Sequence, residues 1–254
     1  MGLAKYGRTT ALLAMFCWVN NTWAWRPLTV DDADPLDPGV FELDAGVAYY
    51  RGGDYTHWDF PFGLTYGVAR DLDAHISFGG QRDEQSESFS GTMRESGISD
   101  LELGAKWHFI ATDPLGIRNS IAPGVKLPTA SEQRSLGSGA FDYDLIWIAS
   151  RAFGDRSDIH LNLGYTWVGE ADDVVHYGLA AYYQLTDSLQ WVGEVFAEKE
   201  ISSGTETVAA VNSGIRYYLT DQLILDCAAG TKLCGEAPDF SMTTGLTWDF
   251  GFDG

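Results

Sequence analysis

Basic residues, cysteines and long apolar runs are all scarce in this sequence, and each shortage removes a class of protein. Lys and Arg total 16 against 36 Asp and Glu in 254 residues, a formal charge of -20. Nothing supplies the basic stripe that would neutralise phosphates, so nucleic acid is excluded as a partner. The three cysteines form neither a disulfide framework nor a metal-type Cys/His spacing. Cys17 lies in the N-terminal apolar run; alternation points Cys227 outward and puts Cys234 in the following loop, so a bridge between those two needs a sharp bend. Both read as small apolar residues. Beyond the N-terminus no run approaches the eighteen or so apolar residues of a spanning helix, which excludes a helical membrane protein. The acidic stretch Asp31-Asp32-Ala33-Asp34 lacks the spacing and closing Glu of a calcium loop, and no catalytic or cofactor signature occurs. No metal, cofactor or enzymatic activity is therefore expected.

Repeated hairpins are what the chain does contain. Tyr182-Tyr183-Gln184-Leu185-Thr186-Asp187-Ser188-Leu189 and Tyr217-Tyr218-Leu219-Thr220-Asp221-Gln222-Leu223 each run from an alternating segment through Leu-Thr-Asp-x into another. Thr and Asp can bond backbone groups in a tight turn, and period-two alternation marks strands with two different faces. Looser versions surround Arg70-Asp71-Leu72 and Phe153 to Ile159. One hairpin type repeated along a chain implies an antiparallel sheet that grows sideways until it closes.

The character of the apolar face decides what surrounds that sheet. From Ile159 to Trp167 one face carries Ile159, Leu161, Leu163, Tyr165 and Trp167, and the other His160, Asn162, Gly164 and Thr166. Phe240 to Phe250 repeats the arrangement, and in both the apolar face ends in aromatics. Lipid on the apolar side, an aromatic girdle at the interface and small or polar residues in the lumen is the signature of a transmembrane β-barrel. Nine Trp and twelve Tyr fit that reading.

In chain order, residues 1–24 read as a secretory signal peptide, with Lys5 and Arg8 before the apolar run Ala11 to Val19 and small residues Thr22 and Ala24 at the cleavage site. Residues 25–39 are acidic and proline-rich, and read as an irregular periplasmic lead-in, a solvated tail. Residues 40–254 carry about twelve strand candidates: 40–50, 59–69, 73–81, 98–109, 119–127, 142–153, 159–168, 175–185, 189–198, 207–218, 223–231 and 240–250. Connections alternate between short turns near 71, 155, 187 and 221 and longer polar loops, among them 51–58, 82–97 and 128–141. That asymmetry puts the short turns in the periplasm. Pro61 and Pro123 fall inside candidates and mark soft boundaries or bulges. In 142–153 the alternation turns Ile146 and Ile148 inward and Arg151 outward. The chain ends Phe252-Asp253-Gly254 instead of on its last aromatic.

With the apolar face outside, Glu102, Lys106, His108, Lys126, His160, His176, Glu194, Arg216 and Asp226 all point into the lumen. These are the candidate selectivity residues. Charges of both signs cannot sit dry without pairing, so they either knit a hydrogen-bonded plug or line a wet channel whose field selects solutes. Many inward positions are glycines, which leaves room and favours a narrow, partly open lumen.

Several segments resemble a known family: Thr29-Val30-Asp31-Asp32-Ala33-Asp34-Pro35, Gly39-Val40-Phe41-Glu42-Leu43-Asp44-Ala45-Gly46, Gly97-Ile98-Ser99-Asp100-Leu101-Glu102-Leu103-Gly104-Ala105-Lys106-Trp107, Pro123-Gly124-Val125-Lys126-Leu127-Pro128-Thr129 and Gly214-Ile215-Arg216-Tyr217-Tyr218-Leu219-Thr220. Together they are similar to the outer-membrane transporters associated with meta-cleavage pathways of phenol degradation. The resemblance implies an outer-membrane, porin-like barrel for small, hydrophobic or aromatic solutes. The partners expected are then outer-membrane lipid and a small-molecule solute.

Two other functions compete. His75-Ile76-Ser77 has the spacing of a base and nucleophile on one strand face, the arrangement of a barrel lipid hydrolase, but lacks a nearby Asn or Asp to orient the imidazole. The Ser- and Glu-rich segments 82–97 and 128–141 could instead form an adhesive surface.

Overall fold

The computed structural model describes residues 26–87, 91–110, 114–202 and 204–251. The proposed signal peptide and Phe252 lie outside the described residues. Strands form where the alternation is strongest: in Ser157–Trp167 the burial follows the sequence period, with His160, Asn162, Gly164 and Thr166 buried and Ile159, Leu163 and Trp167 exposed. Thirteen strand segments result: β1 (Val40–Gly52), β2 (Tyr55–Ala69), β3 (Leu72–Glu87), β4 (Gly91–Ile98), β5 (Leu101–Ile110), β6 (Ile117–Leu127), β7 (Asp142–Phe153), β8 (Ser157–Trp167), β9 (Val174–Thr186), β10 (Leu189–Glu200), β11 (Val208–Tyr218), β12 (Leu223–Cys234) and β13 (Phe240–Gly251). A 3-10 turn spans Glu132–Arg134.

Every pairing is antiparallel. β13 returns to β1 in unbroken register from Val40↔Gly251 to Arg51↔Phe240, so the sheet closes. β4 and β5 share one position in the wall: β3 pairs with β5 through Leu72 to Ser77 and with β4 through Gly80 to Glu87. The result is a closed barrel of twelve staves. Its outer face is apolar and aromatic, with Trp107, Trp147, Leu163, Trp167, Leu179, Trp191, Leu225 and Trp248 all exposed. The Leu-Thr-Asp-x turns hold as read, the Thr220 hydroxyl accepting the Gln222 and Leu223 N–H groups at 3.2 and 3.0 Å.

Several sequence expectations change. The connection 51–58 shrinks to the two residues Gly53 and Asp54, with Gly53 at φ +55°. The loop 82–97 is instead a long hairpin of β3 and β4. Apart from Met93 and Ile98 its described residues are polar or small, so it carries no apolar alternation by which to recognise it. Candidate 98–109 breaks at Ser99 and Asp100, and Cys234 ends β12 instead of sitting in a loop; Cys227 and Cys234 are both free. Pro61 and Pro123 sit inside continuous strands, but each interrupts one ladder: β1–β2 pairing lapses between Ala45↔Phe62 and Ala48↔Asp59, and β5–β6 pairing between Gly104↔Gly124 and Trp107↔Ile121. The missing N–H is accommodated by opening the wall on one side.

The change in the lead-in matters most. Residues 26–33 are no solvated tail, because they coil inside the barrel, and of the lead-in only Asp34 and Asp37 to Gly39 are exposed. Leu28, Val30, Asp31, Asp32 and Ala33 are all buried, Ala33 completely. Val30 and Leu28 pack on Ala180, Tyr182 and Val192, while Ala33 packs on Ala122, Ile146 and Ile148. The inward isoleucines thus meet an apolar partner in the lumen.

Candidate functional site

An extended segment buried without sheet partners must find an acceptor or donor for each backbone group, since an orphan costs about 1–3 kcal/mol. Here the lumen side chains supply them, strand after strand. Arg26 donates Nε and Nη2 to the Asp226 carboxylate at 3.3 Å each, and Nη2 also to the Thr243 hydroxyl at 3.0 Å. Glu194 on β10 accepts the Thr29 N–H at 2.8 Å and the Val30 N–H at 2.8 Å, and is itself held by Asn212 Nδ2 at 2.7 Å. Asn162 on β8 accepts the Asp31 N–H and donates to the Asp31 carbonyl, both at 2.8 Å. Ser150 on β7 accepts the Ala33 N–H at 2.8 Å, and the Ala33 carbonyl accepts from His108 Nδ1 at 2.8 Å and Ser120 Oγ at 2.5 Å. Lys106 on β5 faces Asp31 at 3.5 Å and Asp32 at 3.8 Å, and donates to the Asp32 carbonyl. Asp73 on β3 takes the Leu36 N–H, and the Gly39 N–H donates to Gly67 on β2. The segment therefore makes a circuit of the inner wall and fills the lumen toward the rim of short turns.

On the other side of this floor, toward the long loops, lies a cavity of about 710 Å3. Arg26, Pro27, Leu28 and Thr29 form part of its lining. At its mouth the loop 128–141 folds inward: Leu136 is buried, its carbonyl accepts from Gln81 Nε2, and Asp100 accepts the Thr129 and Ala130 N–H groups at 2.8 Å.

The nine candidate residues divide between these two regions. Lys106, His108, Glu194 and Asp226 touch the lead-in directly, and His160 does so at one remove, its Nδ1 lying 2.8 Å from Ser150 Oγ. Arg216 is fully buried opposite Asp226 in the β11–β12 ladder and donates to Gln190 at 3.4 Å. Lys126 and Glu102 face each other in register on the cavity wall, where Lys126 pairs with Asp142, lies 3.8 Å from Asp100 and donates to Ser138 Oγ at 2.9 Å. His176 sits 3.0 Å from Asp144, which also accepts from Thr166. Sequence reasoning missed the cluster in which His57 lies between Asp59 at 3.0 Å and Asp83 at 2.6 Å, with Tyr55 bonded to the same Asp83. Tyr55, His57 and Asp83 fell in the segments 51–58 and 82–97, both read as loop, while Asp59 opened a strand candidate. His75 Nδ1 is engaged by Thr65 Oγ1 at 2.8 Å, so a hydroxyl occupies the place of an orienting carboxylate. Among the described residues no group of His, Cys, Asp and Glu is arranged to hold a metal ion.

The fold matches solved structures at low sequence identity. An outer membrane channel from Pseudomonas putida F1 aligns with 86% of this chain and 98% of its own at a TM-score of 0.64 and 16% identity. A structure described as the NanC porin gives 0.57 at 9% identity, over 81% and 98%. The translocator domain of the autotransporter NalP from Neisseria meningitidis gives 0.52 at 11%, over 86% and 91%. No curated protein matches the sequence. Residues 26–250 match the model of a family described as "Putative MetA-pathway of phenol degradation".

Proposed function

This chain belongs to that phenol-degradation family, and from this premise we propose that it is a passive channel of the bacterial outer membrane for small hydrophobic or aromatic solutes, exported by way of residues 1–24 as a removed signal. The observation that carries the reading is the cavity of about 710 Å3 within the barrel, floored by residues 26–29. That volume lies within the range of pockets that enclose a small organic molecule, roughly 300–1,000 Å3. The aromatic outer face supplies the lipid contact, and the rim of short turns faces the periplasm. A solute arriving from the long-loop side meets the cavity first and the lead-in second.

The candidate residues then take two roles. Glu102 and Lys126 line the chamber and act on the solute. Lys106, His108, Glu194 and Asp226 hold the floor and govern occlusion, with His160 and Arg216 bracing their neighbours. Uptake of benzyl alcohol by vesicles whose outer leaflet is lipopolysaccharide tests the reading, because that leaflet slows passage through the lipid itself. Uptake faster than in protein-free vesicles is expected; equal rates would overturn it.

A further inference from the structure

The cavity walls differ in chemistry. On one side β10, β11, β12 and the lead-in present Phe196, Ala210, Ala228 and Leu28, with Asn212 among them and Glu200 at the end of β10. Carboxylates project from five other staves: Asp44 on β1, Asp59 on β2, Asp83 on β3, Glu102 on β5 and Asp144 on β7.

The cations beside them are already engaged. Arg26 gives its guanidinium to Asp226, which lies outside the cavity lining, and Lys126 lies between Asp142 and Asp100. Asp59 and Asp83 share the single His57 ring, so even a protonated imidazole leaves that trio with one negative charge. Thr247 donates its hydroxyl to Asp44, which solvates that carboxylate without neutralising it; Asp144 accepts from Thr166 and also lies 3.0 Å from His176 Nε2, so the surplus of negative charge is greatest at Asp59 and Asp83. A low-dielectric wall opposite one sign of charge concentrates the field and raises the local concentration of the opposite ion by about 10- to 1,000-fold.

We propose that the chamber selects small amphiphiles with a positively charged head and an apolar body, the head meeting the Asp59, Asp83 and Asp144 side and the body resting against Phe196, Ala210 and Leu28. This rests on the channel reading and narrows it to one class of solute. An anion of the same size meets the same apolar surface and a repulsive field.

Three probes with one aromatic body separate the possibilities: benzyltrimethylammonium, benzyl alcohol and benzenesulfonate. In the vesicle assay at low salt the ammonium should enter at least about tenfold faster than the sulfonate. The ratio should shrink toward unity in 1 M salt, where the Debye length is about 3 Å. The triple variant Asp59→Asn, Asp83→Asn, Asp144→Asn should lower the ratio to within about threefold, with heat-modifiable mobility on gels reporting that the barrel still closes. If benzyl alcohol enters while the two ions enter equally, the charge selection is refuted and the channel survives. A wild-type ratio that the triple variant retains refutes the assignment to these carboxylates. If none of the three enters, the channel reading fails first.

Discussion

Removing the Glu194 carboxylate tests whether lumen side chains hold the floor in place. Glu194 accepts two backbone N–H groups of the lead-in, those of Thr29 and Val30, and is only 3% exposed. Hydrogen bonds to a charged acceptor contribute about 1.5–3 kcal/mol each, so Glu194→Ala forfeits about 3–6 kcal/mol of docking before relaxation. Water from the adjoining cavity can reach the freed N–H groups and offset part of this. A residual loss of about 2 kcal/mol corresponds to roughly a 30-fold shift in the docking equilibrium at 1.4 kcal/mol per tenfold. Single-channel recordings in planar bilayers read this as openings roughly 30-fold more frequent. Their amplitude should equal that of a variant lacking residues 27–38, the reference for an emptied lumen. Glu194→Gln keeps one carbonyl acceptor and should fall between. Heat-modifiable mobility should not change, because the strand ladders are untouched. Two results would refute the reasoning: an opening frequency still at the wild-type level when Glu194, Asn162 and Ser150 are all replaced by Ala, or a deletion variant that conducts no more than the intact protein.

Three further outcomes are expected. Ala33 is completely buried, so Ala33→Cys should resist a water-soluble maleimide; adding Gly67→Val, whose side chain would collide with the Asp37 carbonyl, should make that thiol reactive. Lys106→Met leaves Asp31 and Asp32 without their ammonium partner, and the same Ala33→Cys probe should label at least about tenfold faster, since breaking a buried pair costs about 3–5 kcal/mol. Asp100→Ala removes the acceptor for Thr129 and Ala130, and trypsin should then cut after Arg134 more than fivefold faster while the barrel stays protected.

The wall of the barrel was legible in the sequence because its physics is local. Period-two alternation from Ile159 to Trp167 fixes which face is polar, and Thr220 with Asp221 fixes where the chain turns. The β3–β4 hairpin was not, because apart from Met93 and Ile98 its described residues are polar or small and alternation has nothing to record. Nor was the filled lumen, since a coil satisfied by side chains from eight staves leaves no periodic mark in its own sequence. Its trace lay elsewhere. Ile146 and Ile148 broke the polar character of the inner face, and the inward glycines left space that read as an opening but accommodates the lead-in. Gly46 and Gly245 are examples, for any side chain there would strike the Arg26 guanidinium.

That last contact has a consequence for how the molecule is completed. Gly46 lies on β1 and Gly245 on β13, directly opposite each other in the register that joins the two ends of the chain. Half the socket for Arg26 thus belongs to the first stave and half to the last, and it comes into being only when the ring is finished. A partly assembled sheet can offer Arg26 its acceptors Asp226 and Thr243 on β12 and β13 but not the β1 side of the socket, so the head of the lead-in is enclosed only in a sealed circle.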